Sequence, residues 1–218
     1  MADTLTVLPG ELERNAASFS YLRVDTGIKK LYSNGAGIIL AALPASSTTA
    51  FSVRCAFPTN AATQYRPDGC GETSWEIPGL EREWSRHCDE QGIADGETWL
   101  AHFNKIKRSY LYACAFRPSA EQFAWSVEFR KFLPDNFRED WNEVVTSAWT
   151  LADMDKVPFQ AFFYNVADLQ GRDQAKQLQR EFYSETSVLL PIVRINLLAS
   201  DQRIFEYDKK DQITIPIR

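Results

Sequence analysis

The spacing of apolar residues changes twice along this chain of 218 residues. Up to residue 77, apolar and polar positions alternate at period two, which is the repeat of a half-buried β-strand. The segment FSVRCAF shows this most clearly, because it would place four side chains on one face: Phe51, Val53, Cys55 and Phe57. We therefore predict strands and turns for residues 1–77.

Residues 78–185 carry apolar side chains three and four positions apart, which predicts about five helices. Ser119, with Gln122 three residues later, has the pattern of a capping box at the start of one of them. Asp135 is a natural N-cap for a further helix over NFREDWNEVVTSAW.

Two more helices are predicted in the same zone. The segment PFQAFFYNVADLQG has Pro158 at its first helical position and Gly171 just past its end, the asymmetry typical of helices. The next helix is predicted over residues 172–185, where Ala175, Leu178 and Phe182 would share a face.

Residues 186–218 return to strand character in SVLLPIVRINLL, RIFEY and QITIPIR. Pro216 favours an edge strand or a swapped arm for the last run, because proline cannot donate to a sheet ladder. We therefore predict a single α+β domain over residues 1–218. Its mainly antiparallel sheet combines the N-terminal third with the C-terminal strands, and the central helices pack on one side.

The composition of the chain argues against several classes of protein. The formal net charge of −5 argues against a broad electrostatic surface for nucleic acid. We expect no secretory signal and no transmembrane segment, because the apolar runs are short and interrupted. Without a signal, the four cysteines are expected to be free thiols of a cytoplasmic protein.

The cysteines and histidines do not have the spacing of a known metal-binding or catalytic site. A metal site could draw on five residues: Cys70, His87, Cys88, His102 and Cys114. Their intervals are long and irregular, so we predict no metal and no cofactor. A nucleophilic thiol at Cys70 with His102 as its base is one catalytic alternative. Four carboxylates crowd one predicted helix start: Asp135, Glu139, Asp140 and Glu143. Asp135 and Glu139 would lie one turn apart, which is the acidic alternative for acid–base work. No catalytic residue is assigned.

The densest basic patch lies in NKIKRSY, and it favours two interpretations. Usually such a patch is a solvated helix face. It could also line a groove for single-stranded nucleic acid, in which aromatic side chains stack on bases. The candidate nucleic-acid-binding residues are Lys105, Lys107, Arg108, Arg117, Arg130 and Lys131.

The segment AFFYNVADLQGRDQAKQLQ at 161–179 resembles the aromatic segment in coat proteins of flexible filamentous plant viruses. The resemblance covers less than a tenth of the chain, and the β-rich first third departs from those largely helical proteins. It implies a nucleoprotein or capsid subunit.

The function that the sequence favours is a non-enzymatic interaction or assembly protein. It could be a viral or phage structural subunit, an inhibitor or an immunity-type binder, and it would bind a protein partner or itself, but no membrane. The aromatic-rich middle and the edge-type C-terminal strand would supply the contacts. The candidate contact residues are Trp75, Ile213, Ile215 and Ile217. The alternatives are a nucleic-acid-binding subunit and a hydrolase or nuclease.

Overall fold

The architecture comes from a computed structural model, which describes residues 5, 9–21, 35–41, 51–61, 66, 68–71, 87–105, 113–135, 141–198 and 205–214. In that part of the chain there are four α-helices: α1 (Pro9–Glu13), α2 (Gly96–Lys105), α3 (Ala120–Phe129) and α4 (Gly171–Thr186). The strands are β1 (Ala17–Phe19), β2 (Ala36–Leu40), β3 (Val53–Phe57), β4 (Glu143–Thr146), β5 (Phe159–Asn165), β6 (Ile192–Ile195) and β7 (Glu206–Tyr207). Strands and helices together confirm an α+β protein.

The first sheet has the order β1-β4-β3, and all its pairs are antiparallel. Its central strand β4 lies where the sequence predicted the second half of a helix, so that prediction is wrong there. The residues of β4 are Glu-Val-Val-Thr, and all four are buried. The β-branched Val144, Val145 and Thr146 favour a strand that contacts neighbours on both edges.

A bulge in β3 breaks the predicted alternation. Val53 pairs with Thr146, but Cys55 pairs with Val145, so one extra residue lies in β3 between these pairs. As a result Val53 packs with Ala56 and Val144, whereas Cys55 packs in a separate cluster with Val145. The prediction that Phe51, Val53, Cys55 and Phe57 share one face is therefore wrong, although all four are buried.

The second sheet has the order β2-β5-β6-β7 and is mixed, because β5 and β6 are parallel. Parallel neighbours need a crossover connection, and α4 supplies it. The helix predicted over 172–185 is confirmed as α4, which packs Ala175, Leu178 and Phe182 on this sheet.

The helix predicted over PFQAFFYNVADLQG is wrong, because Phe159–Asn165 forms β5. Its run of aromatic residues is continuous because β5 lies between two strands and is covered on both faces. Phe162 packs with α4 on one face, and Phe163 packs with Ile195 and Leu197 on the other. The described residues thus form two sheets rather than the predicted single, mainly antiparallel sheet.

Trp149 joins the two sheets. Its ring stacks on Phe19 of β1 with 5.7 Å between ring centroids, and it meets Phe159 of β5 edge-on at 5.9 Å. The indole N–H donates to the carbonyl oxygen of Leu5 at 3.2 Å.

The helical cluster of α2 and α3 packs beside β3. The predicted N-cap of α3 is confirmed, since Ser119 Oγ accepts a hydrogen bond from the Gln122 N–H at 3.1 Å. The rest of the predicted capping box is not formed, because the Gln122 side-chain oxygen accepts from the Arg117 N–H at 2.6 Å. Trp99 and Phe103 of α2 stack on each other inside the cluster, where they pack with Phe116 and Phe129.

The cysteines are not free thiols. All four are buried and form two disulfides, Cys55–Cys70 and Cys88–Cys114. The sequence prediction is wrong here because pairing depends on which cysteines the fold brings together. The partners are 15 and 26 residues apart, and no short spacing marks them.

Candidate interaction surface

The predicted basic face is not assembled as expected among the described residues. Arg130 is 1% exposed, and its Nη1 donates to the carbonyl oxygen of Pro58 at 2.8 Å. Lys131 pairs with Glu128 at 2.8 Å. Arg130 therefore cannot belong to an exposed cationic face.

Arg117 forms ion pairs with two carboxylates. Its Nε bonds Asp89 at 2.8 Å, and its Nη2 bonds Glu90. Burial acts to raise the pKa of Asp89, but the hydrogen bond and charge of Arg117 together with backbone hydrogen bonds lower it below its usual value. Lys105 ends α2, but its side chain lies outside the described residues, as do Lys107 and Arg108.

The predicted C-terminal edge strand is anchored inside this chain as far as it is described. Residues Lys209–Asp211 form a 3-10 helix. The Ile213 N–H then donates to Gln179 Oε1 of α4 at 2.8 Å, and Gln212 exchanges hydrogen bonds with the backbone of Ile192. Ile213 is thus held by α4, and the other predicted contact residues, Ile215, Ile217 and Trp75, lie outside the described residues.

A buried acid fixes the same segment from the other side. Asp211 accepts a hydrogen bond from the Tyr164 hydroxyl at 2.8 Å and pairs with Arg172 Nε at 2.8 Å. Burial raises the pKa of Tyr164, and the hydrogen bond and charge of Asp211 raise it further. These contacts tie residues 205–214 to β5 and α4.

The thiol-nucleophile alternative is wrong, because the sulfur of Cys70 is bonded to Cys55. The carboxylate of the acidic candidate Glu143 already accepts hydrogen bonds within the fold. Its Oε1 accepts from Ser18 Oγ at 2.9 Å, and its Oε2 accepts from the Ala61 N–H at 2.6 Å. Among the described residues, no three histidine, cysteine or acidic side chains are grouped so that they could hold a metal ion.

Four exposed apolar residues lie in segments that adjoin the same end of the second sheet. Because β5 and β6 are parallel, their carboxyl ends meet at the same edge, where the Val166 N–H donates to the Ile195 carbonyl at 2.9 Å. The antiparallel pairing of β7 with β6 brings Phe205 to the same end. We call the following residues the apolar end, with their exposed fractions: Val166 45%, Leu169 98%, Leu198 66% and Phe205 38%.

The turn that carries Leu169 is held by its own hydrogen bonds. Asp168 Oδ1 accepts from the N–H groups of Gln170 at 2.8 Å and Gly171 at 3.1 Å. Asn165 Oδ1 accepts from the Ala167 N–H at 3.3 Å. A turn with these Asx-type bonds presents Leu169 to solvent in a defined position rather than on a loose loop.

Close backbone packing fixes the turn against β2. A Cβ on Gly171 would lie 2.5 Å from the carbonyl oxygen of Gly35. The Gly35 carbonyl also accepts a hydrogen bond from the Asn165 N–H at 2.9 Å. The start of α4 and the start of β2 therefore touch through two glycines, and this contact sets where the turn lies.

The sequence prediction missed this surface because it placed residues 158–170 in a helix, where Val166 and Leu169 would be three positions apart on one face. The available signal was the cluster Asn165, Asp168 and Gly171, which is typical of a turn.

No protein-family model matches the chain, and no curated protein matches it. Within the described ranges, no helix has the length and apolar character needed to cross a membrane.

Proposed function

We propose that this protein is a non-enzymatic assembly protein and that the apolar end is its contact surface. The observation that carries the proposal is Leu169, which is 98% exposed on a turn whose backbone is fixed by Asp168. Single exposed leucines are common on protein surfaces, but here three further apolar side chains lie at the same end of one sheet.

The proposed occupant is a second copy of the chain. A two-fold contact uses the same surface on both copies, so a single apolar end is sufficient to build it. Joining two such surfaces removes apolar area from water, which is the main favourable contribution to association.

Charge substitutions in the apolar end test the proposal. We expect Leu169→Asp and Leu198→Asp each to raise the dissociation constant of self-association by at least about tenfold, because a carboxylate buried in an apolar contact has no partner. Sedimentation velocity over a range of protein concentrations measures the effect.

The matched control is Leu12→Asp on α1, where the leucine is 40% exposed but lies outside the apolar end. This variant should associate like the wild type. A wild-type protein that stays monomeric at every concentration would contradict the proposal, as would an equal loss in the Leu12 variant.

No observation in the described residues favours the other candidate functions. A nucleic-acid contact stays a prediction for Lys105, Lys107 and Arg108. A hydrolase or nuclease with acidic residues also stays a prediction, but it cannot use Glu143 without breaking that residue's bonds to Ser18 and Ala61.

A further inference from the structure

Residues 113–116 form an extended segment that is buried from both sides. Ala113 and Ala115 pack in the cluster that contains Cys55 and Cys70. Cys114 and Phe116 pack instead in the helical cluster with Cys88. All four residues of the segment are fully buried. Each face of the segment therefore lies against one of the two disulfides.

The backbone of this segment is bonded to residues beside the same cysteines. Ala56, which follows Cys55, exchanges two hydrogen bonds with Phe116, at 3.0 and 2.9 Å. The Cys88 N–H donates to the Ala115 carbonyl at 2.9 Å. The segment thus joins the first sheet to the helical cluster, and both connections begin at a disulfide.

The loop closed by the Cys55–Cys70 disulfide also carries a buried cation, Arg66. Arg66 Nη1 donates to the Gly71 carbonyl at 2.6 Å, and its Nη2 donates to the Ala113 carbonyl at 2.8 Å. A buried guanidinium is stable only while its hydrogen-bond partners stay in place. Opening this disulfide would free the loop and expose the guanidinium to water, which would remove its bond to the 113–116 segment.

We propose that the two disulfides form a redox lock on the 113–116 segment, so that the protein holds this fold only in an oxidising compartment. A dithiol reductant opens the lock. For each disulfide the S–S bond breaks, the two cysteines gain two electrons and two protons as thiols, and the dithiol is oxidised to its own disulfide.

Disulfides persist in secreted, periplasmic and surface settings and are rare in the cytosol. The expectation of a cytoplasmic protein rested on the expected absence of a secretory signal, and the free thiols that followed from it are replaced in the fold by these two bonds.

Hydrogen exchange followed by mass spectrometry tests the lock on the full chain. In the oxidised protein, the amides of Ala115 and Phe116 should be protected. With dithiothreitol present, their exchange should rise roughly 10⁴-fold, because the reductant opens both disulfides and each disulfide across a loop of this length typically contributes about a hundredfold to the folding equilibrium. The 159–195 region contains no cysteine and reports whether the loss is local or spreads through the chain; either extent supports the lock. Protection at 113–116 that survives full reduction would overturn it.

Paired substitutions separate the two disulfides and remove the need for reductant. Cys55→Ser with Cys70→Ser should release the Arg66 loop and the Ala56–Phe116 pairing. Cys88→Ser with Cys114→Ser should release the Cys88–Ala115 bond first. If either double variant fails to fold, the oxidised and reduced wild-type proteins still decide the outcome.

Thiol counting tests the compartment. Cells that make the protein are quenched in acid, and the chain is alkylated before and after reduction. We expect no alkylated cysteine before reduction and four after it. Four alkylated cysteines before reduction would overturn the proposed compartment.

Discussion

The guanidinium of Arg66 lies inside the protein, over the ring of Phe57 at 4.8 Å from the ring centroid. Burial lowers its pKa to about 10, and the carboxylates of Glu143 and Asp68 oppose that shift. The charge is kept because carbonyl oxygens from Gly71 and Ala113 accept its N–H groups. This one side chain connects β3, the disulfide-closed loop and the 113–116 segment.

Replacing Arg66 should destabilise the protein strongly. We expect Arg66→Met to lower the free energy of unfolding by about 3–5 kcal/mol, because it removes the donors to the Gly71 and Ala113 carbonyls and a buried positive charge that interacts with Glu143. Urea unfolding of the oxidised protein measures the loss. The control is Arg54→Met, whose guanidinium bonds the Asn15 carbonyl in an exposed position and should cost less than about 1 kcal/mol. Equal losses for the two variants would mean that the buried cation adds no particular stability.

Contacts between residues that are close in the sequence were predictable, and contacts between residues that are far apart in the sequence were not. Ser119 and Gln122 lie three positions apart, so their cap depends on one turn of backbone and could be inferred from sequence. Arg130 looked like a surface cation, since nothing near it in the sequence shows that it bonds the carbonyl of Pro58, 72 positions away.

The position of α4 decides where the turn with Leu169 lies. The helix packs Phe182 between the rings of Phe159 and Phe162, with centroids 5.1 and 5.7 Å away. Its first residue, Gly171, touches the backbone of Gly35. The start of α4 is therefore fixed by backbone contact, and the rest of the helix by apolar side chains.

Gly171→Ala should separate α4 from β2. The added methyl group would meet the Gly35 carbonyl oxygen, so we expect the free energy of unfolding to fall by about 1–3 kcal/mol. The control is Gly10→Ala in α1, where the nearest atom to the added methyl would be Arg14 Nη1 at 3.5 Å. That variant should be neutral or slightly stabilising, because alanine favours helix over glycine. Thermal unfolding of both variants measures the difference, and an unchanged Gly171 variant would show that this contact can relax.

Helix α4 was predictable because 16 residues with a periodic apolar face leave few alternatives. Strands β4 and β5 were not, since a buried central strand has no alternation and its short apolar run also suits a helix. The β-branched run in β4 and the aromatic run in β5 were the residues that should have favoured strands.

For the whole molecule, the two sheets meet at Trp149, and the 113–116 segment joins the first sheet to the helical cluster. The apolar end lies on the second sheet. The two disulfides lie beside the 113–116 segment, where the first sheet meets the helical cluster. The proposed assembly and the proposed redox lock therefore depend on different residues, so a variant in one region can be used to leave the other intact.

Hydroxyl-radical footprinting tests the contact surface most directly, because it reports side-chain exposure in each assembly state. The oxidised protein is labelled when dilute and when concentrated, and its mass is measured under both conditions. We predict that mass rises with concentration while labelling of Leu169 and Leu198 falls, with labelling of Leu12 unchanged. A rise in mass with Leu169 still fully labelled, or no rise in mass at all, would contradict the account.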